Sequence, residues 1–143
     1  MGRGEHRGRY AIAIQRYPKL NPDRDYFKLP NCLFLLGLSA GEIAVYSYLL
    51  RCEDRENFTC YPSFRTIGKA VGLSKNTVQK YVNALERKGL IETRATKVHT
   101  RTGKTRNGNL LFTILPIQSA LELHNERQMF AAESPVSASL SQR

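Results

Sequence analysis

Residues 60–91, CYPSFRTIGKAVGLSKNTVQKYVNALERKGLI, constrain the fold more than any other stretch, because they predict two short helices joined by a tight turn. Ser63 suits the N-cap of the first helix, whose apolar residues recur at helical spacing. Gly72 suits the turn, since glycine adopts the left-handed backbone that larger residues avoid. Ser74 suits the N-cap of the second helix, and Gly89 suits its end.

The second predicted helix has two different faces. One face is apolar and is expected to pack inward, with Val78, Tyr81, Val82 and Leu85. The other face has amides and lysines and no carboxylate before Glu86; it is formed by Lys75, Asn76, Gln79, Lys80 and Asn83. Asn and Gln can bond an adenine edge in two places, and Lys can reach guanine O6 and N7. This face therefore has the chemistry to read bases, whereas the plainer alternative is a helical hairpin that binds nothing.

These residues resemble the helix-turn-helix of winged-helix DNA-binding proteins. The likeness is in the small Gly68, the turn at Gly72, the run LSKNTV at 73–78 and the closing run LERKGLI at 85–91. The resemblance implies that the second helix lies in the major groove of double-stranded DNA. Its base and phosphate contacts would come from Lys75, Asn76, Thr77, Gln79, Lys80 and Asn83, with Ser74 capping the helix and bonding a phosphate.

After Gly89 the apolar period changes from helical to alternating, which predicts strands over 90–96 and 109–115. The loop between them, at 97–108, has turn signals at Gly103 and at Asn107-Gly108. Its four cations are Lys97, Arg101, Lys104 and Arg106, and it has no acidic residue. In winged-helix proteins such a hairpin is the wing and touches the DNA backbone or the adjacent minor groove. The alternative is a solvated basic hairpin.

The positive charge of the chain is concentrated in this region. The 143 residues have a formal net charge of +10, and residues 64–108 alone contain 11 basic and two acidic residues. A surface that binds phosphates gives this kind of uneven distribution.

A further helix is predicted over 38–52, where Ser39 and Glu42 have the spacing of a capping box. A last helix is predicted after Pro116, with apolar residues on more than one side, which suggests a homodimer through this C-terminal helix. The predicted fold class is α+β, mainly α: a winged helix with a three-helix core, a two-stranded β-hairpin wing and a C-terminal helix.

We expect three parts in the chain. Residues 1–25 form a flexible arm with a short strand at 10–14, residues 26–131 form the winged-helix domain, and residues 132–143 form a disordered tail. Residues 16–31, the approach segment, lead irregularly into the domain, and Tyr26, Phe27 and Leu29 are expected to fasten this segment to it.

Three motifs that mark enzymes are absent: the chain has no phosphate-binding loop, no H-E-x-x-H and no C-x-x-C. The three cysteines and three histidines are too scattered to predict a zinc site or a disulfide framework. We therefore expect no catalytic residues, cofactor or metal. No apolar run is long enough to cross a membrane and no signal peptide is evident, so a cytoplasmic protein is expected.

Double-stranded DNA is thus the expected partner, and a transcription regulator of the small prokaryotic kind is the expected role. One alternative comes from residues 27–50, FKLPNCLFLLGLSAGEIAVYSYLL, which resemble the start of the replication initiator A proteins of Gram-positive plasmids and related phage proteins. A second alternative is a winged helix that binds proteins, although such modules tend to lose the cations that this chain retains.

Overall fold

The computed structural model describes residues 21–133. Most of the predicted arm at 1–25, including its predicted strand at 10–14, lies outside the described residues, as does most of the predicted tail at 132–143. The described residues begin with a turn at residues 21–25, followed by a 3-10 helix at Asn31–Leu35 that the sequence did not predict. Leu33 and Leu36 are buried there and join the core.

The three core helices follow as predicted: α1 is Ala40–Cys52, α2 is Phe64–Val71 and α3 is Lys75–Arg87. Helix α1 starts two residues later than expected. Ser39 caps it by accepting from the Glu42 amide at 3.3 Å, but the Glu42 carboxylate pairs with Lys88 Nζ at 2.7 Å, so the predicted capping box is only half formed.

The strands form two small antiparallel sheets. Strand β1 (Thr59–Cys60), β2 (Ile91–Arg94) and β5 (Leu111–Ile114) make the first, in the order β1-β5-β2, while β3 (Lys97–His99) pairs with β4 (Thr105–Asn107) in the second. The predicted hairpin strands at 90–96 and 109–115 were too long, and the predicted loop at 97–108 contains β3 and β4. Strand β1 was missed, since two residues are too few to show alternation.

The core lies between the three helices and the inner face of the first sheet. Its largest fully buried side chains are Tyr46, Phe112, Leu33, Leu49, Ile67, Leu85, Leu90, Ile91, Val45, Val78 and Val82. Three helices, a three-stranded sheet and a projecting β-hairpin in this order are a winged helix, as predicted.

Helix α4, Ile117–Glu133, completes the described chain and extends two residues beyond the expected domain boundary. Ala120 is buried against the core, and Ile117 and Leu121 pack beside it. No helix of residues 21–133 is long and apolar enough to cross a membrane.

Two features of the approach segment differ from expectation. Tyr26, Phe27 and Leu29 are exposed rather than fastened to the core, with 66% of Tyr26 accessible. The 3-10 helix, through Leu33, makes the attachment instead.

Candidate nucleic-acid interface

Local hydrogen bonds fix the angle between α2 and α3. The Ser63 hydroxyl accepts from the Thr66 amide at 3.0 Å and the Ser74 hydroxyl accepts from the Thr77 amide at 3.2 Å, so both predicted caps are present. Gly72 has φ +76°, in the left-handed region, and its amide donates to the Gly68 carbonyl at 2.8 Å. A left-handed glycine ends α2 and turns the chain directly into α3.

Helix α3 is held by its apolar face and leaves its polar face open. Val78, Val82 and Leu85 are buried, and Tyr81 packs against the core from its margin. The five residues predicted to read bases are all exposed: Lys75, Asn76, Gln79, Lys80 and Asn83. Four of them, from Asn76 to Asn83, share one open surface with Glu86 and Arg87.

The remaining predicted residues of this helix occupy different settings. The Ser74 hydroxyl is engaged in the cap and also lies 2.8 Å from the Thr77 hydroxyl. Thr77 is only partly exposed. Its hydroxyl is held by the contact with the Ser74 hydroxyl. Lys75 lines a separate groove of about 600 Å³ that runs between the start of α2 and the base of the β-hairpin.

That groove contains polar residues that the sequence reasoning did not select. Arg65 lies on it from the first turn of α2, and Asn109 lies on it from the end of the hairpin, where its amide donates to the Tyr61 carbonyl at 3.2 Å. Arg65 could have been suspected, since it is a cation two residues after the capping Ser63. Asn109 could not, because its place depends on the pairing of β5 with β1.

The carboxylate closest to the polar face is internally bonded. Glu86 accepts from the Thr93 amide at 2.9 Å and from the Thr93 hydroxyl at 2.8 Å, which joins the end of α3 to β2. One cation is also used internally, since Lys88 bonds both Glu42 and the Gly37 carbonyl. Lys88 therefore contributes to the charge count without belonging to the open face.

The wing is a short β-ribbon with a tight turn. Gly103 has φ +79°, and the Thr100 amide donates to the Lys104 carbonyl at 2.9 Å, so the turn lies at Gly103 and not at Asn107-Gly108. All four predicted wing cations are exposed: Lys97, Arg101, Lys104 and Arg106.

Strand register separates these cations. Val98 pairs with Arg106 and Lys97 pairs with Asn107, and neighbouring residues of a strand point to opposite faces. Lys97 and Arg106 thus lie on opposite faces of the ribbon, while Arg101 and Lys104 lie at its turn.

Comparison with known families agrees with this geometry. Residues 36–91 match the model of a family described as a helix-turn-helix domain. This part of the chain is similar to a helix-turn-helix domain. The match spans α1, α2 and α3 and ends at the first residue of β2; the wing and α4 lie beyond it.

No curated protein matches the chain. Among solved structures, a possible transcriptional regulator from Methanosarcina mazei Go1 is 18% identical with a TM-score of 0.47, covering 75% of this chain and 80% of that one. The zinc-responsive MarR family member ZitR of Lactococcus lactis is 12% identical with a TM-score of 0.42, covering 96% and 81%. BpsR of Bordetella bronchiseptica, whose DNA binding is regulated by 6-hydroxynicotinic acid, is 17% identical with a TM-score of 0.38, covering 97% and 87%. These three likenesses are too distant to carry an argument about function.

Proposed function

We propose that the protein binds double-stranded DNA in a sequence-dependent way and regulates transcription. The observation that carries the proposal is the open polar face of α3, where Asn76, Gln79, Lys80 and Asn83 are exposed side by side. Amide side chains fixed on a rigid helix can distinguish base edges in the major groove, which an α-helix fits.

The wing supplies the second part of the proposed contact. Lys97, Arg101, Lys104 and Arg106 neutralise backbone phosphates, and they add affinity without sequence preference. Because Lys97 and Arg106 lie on opposite faces of the ribbon, the two would contact different phosphates or different strands.

Two more residues belong to the proposed interface. Arg65 and Lys75 share the groove at the start of α2 and α3, where two capped helix ends also direct backbone amides outward. A phosphate there would be bonded by both cations.

The proposed active form is a homodimer through α4. All nine residues from 125 to 133 are exposed, and Met129 and Phe130 are 64% and 78% accessible, although both are large and apolar. A second copy covering this half of the helix would remove these side chains from water.

Selection of bound duplexes from a random-sequence pool at near-physiological salt tests the proposal. An enriched palindrome with half-sites about one helical turn apart supports a dimeric regulator. Repeated direct copies of one short element favour the replication initiator, which residues 27–50 suggested and which stays a prediction. Binding without enrichment that disappears as salt rises would contradict base reading and leave the protein-interaction alternative.

A further inference from the structure

A second groove, of about 570 Å³, lies at the C-terminal end of α1. It forms where the approach segment passes the last turn of α1 and the turn that leads into β1. None of its lining residues belongs to α3 or to the wing, so its chemistry is not explained by duplex binding.

Glu53 gives this groove an unused hydrogen-bond acceptor. Its Oε2 atom is the one buried side-chain oxygen or nitrogen in residues 21–133 that lacks a hydrogen-bond partner. Burial raises the pKa of Glu53, while the nearby Arg55 opposes that shift. A buried acceptor without a donor is costly, so a donor supplied by a bound molecule would relieve that cost.

Three aromatic rings border the same groove: Tyr26, Phe27 and Phe58. Phe58 is 54% exposed and has φ +58°, a left-handed backbone that is unfavourable for a bulky residue. Its amide donates to the Asp54 carbonyl at 2.7 Å, and its carbonyl accepts from the Ile114 amide at 2.8 Å. These two bonds hold a strained residue with its ring open to solvent, and strain of this kind is concentrated at binding sites.

Three cations complete the lining: Arg24, Lys28 and Arg55. Together with Glu53 they give the groove a net positive charge, which disfavours a cationic ligand. The groove therefore suits a flat, aromatic molecule that has N–H donors at one edge and a negative group elsewhere.

We propose that the groove binds the base and phosphate of a guanine nucleotide. Guanine presents two adjacent N–H donors, at N1 and N2, to the Glu53 carboxylate, which accepts at both oxygens. The base stacks on the exposed rings, and the phosphate lies among the three cations. The other bases place an acceptor beside the donor at this edge, and that acceptor would face the carboxylate.

The phosphate can come from a free nucleotide or from a guanosine in a single strand, because the chemistry is the same. Calorimetric titration with GMP, IMP and AMP tests the base. We expect saturable binding of GMP, binding of IMP weaker by about tenfold because it lacks the N2 donor, and still weaker binding of AMP. A strand of thymidines with one deoxyguanosine tests where the nucleotide comes from. If the strand binds more tightly than GMP, the ligand is a single strand; if it binds equally or more weakly, the ligand is the free nucleotide.

Two variants separate the proposal from a structural role. Glu53→Gln should remove the preference for GMP over AMP while leaving duplex binding and the thermal midpoint no lower than in the wild type. Phe58→Gly relieves the strained backbone and removes the ring, so it should weaken GMP by about 5- to 150-fold without loss of stability. Phe34→Ala, which removes a ring that is also exposed (68%, against 54% for Phe58) but lies on the 3-10 helix outside the groove, is the matched control and should bind GMP as the wild type does.

The absence of saturable GMP binding at millimolar concentration would overturn the proposal. So would equal binding of GMP and AMP, or wild-type GMP binding by Glu53→Gln. None of these results would bear on duplex binding by α3.

Discussion

Gly68→Ala should destabilise the protein, although alanine is the better helix former. A Cβ atom at residue 68 would lie 2.3 Å from the Leu73 carbonyl oxygen, where the first residue after the turn crosses α2. In an unobstructed helix this change would gain about 1 kcal/mol. Overpacking costs about 1 to 3 kcal/mol, and the upper end applies because a backbone oxygen cannot rotate away. The expected net loss is about 2 kcal/mol.

Urea unfolding measures this change as a lower midpoint at unchanged slope. Ala70→Gly is the matched control, since residue 70 is exposed on the same helix and should lose only about 1 kcal/mol through helix propensity. We also expect weaker duplex binding by Gly68→Ala, because relieving the clash moves α3 relative to α2. Equal or greater stability of Gly68→Ala would refute the argument that the Leu73 carbonyl leaves no room for a side chain at residue 68.

Other perturbations test other parts of the molecule. Gln79→Ala should reduce discrimination at one base pair by about 1 to 3 kcal/mol, whereas Lys104→Ala should weaken all duplexes alike and lower the salt slope by about 1; binding curves on matched and mismatched duplexes at several salt concentrations distinguish the two. Burial raises the pKa of Tyr46 to about 12, so its neutral phenol stabilises the fold fully below pH about 10 and this contribution is lost as pH rises towards 12. Tyr46→Phe should therefore show a smaller loss of stability over that range, and an unchanged alkaline transition would contradict the assignment. Phe130→Glu should convert the dimer to a monomer in sedimentation experiments without lowering the unfolding midpoint of the domain, and a wild-type monomer would remove α4 as the interface.

Local signals predicted the centre of the molecule well. Ser63, Gly72 and Ser74 act through hydrogen bonds and backbone angles within a few residues. Their roles could therefore be predicted from the local sequence. The helical period likewise separated the buried from the exposed face of α3. The predicted wing was also located correctly.

Signals that depend on distant partners were misread or missed. Glu42 has the spacing of a capping box, but Lys88, 46 residues away, takes its carboxylate. Strand β1 exists only because β5 pairs with it, and its two residues carry no period of their own. The groove at Glu53 was also missed, since its parts come from segments with no common motif. The aromatic character of Tyr26 suggested that it would pack on the domain. Its exposure in the structure shows that it does not.

The central claim is that the amides of α3 read bases through the major groove, and atom-specific substitution in the DNA tests it most directly. Replacing a purine of the selected site by its 7-deaza analogue removes one major-groove acceptor and leaves the minor-groove edge unchanged. We predict that the substitution weakens the wild type by about fivefold or more at the position that Gln79 or Asn76 reads. The same substitution should have little further effect on the matching alanine variant. Equal binding of modified and unmodified duplexes at every purine would contradict the claim.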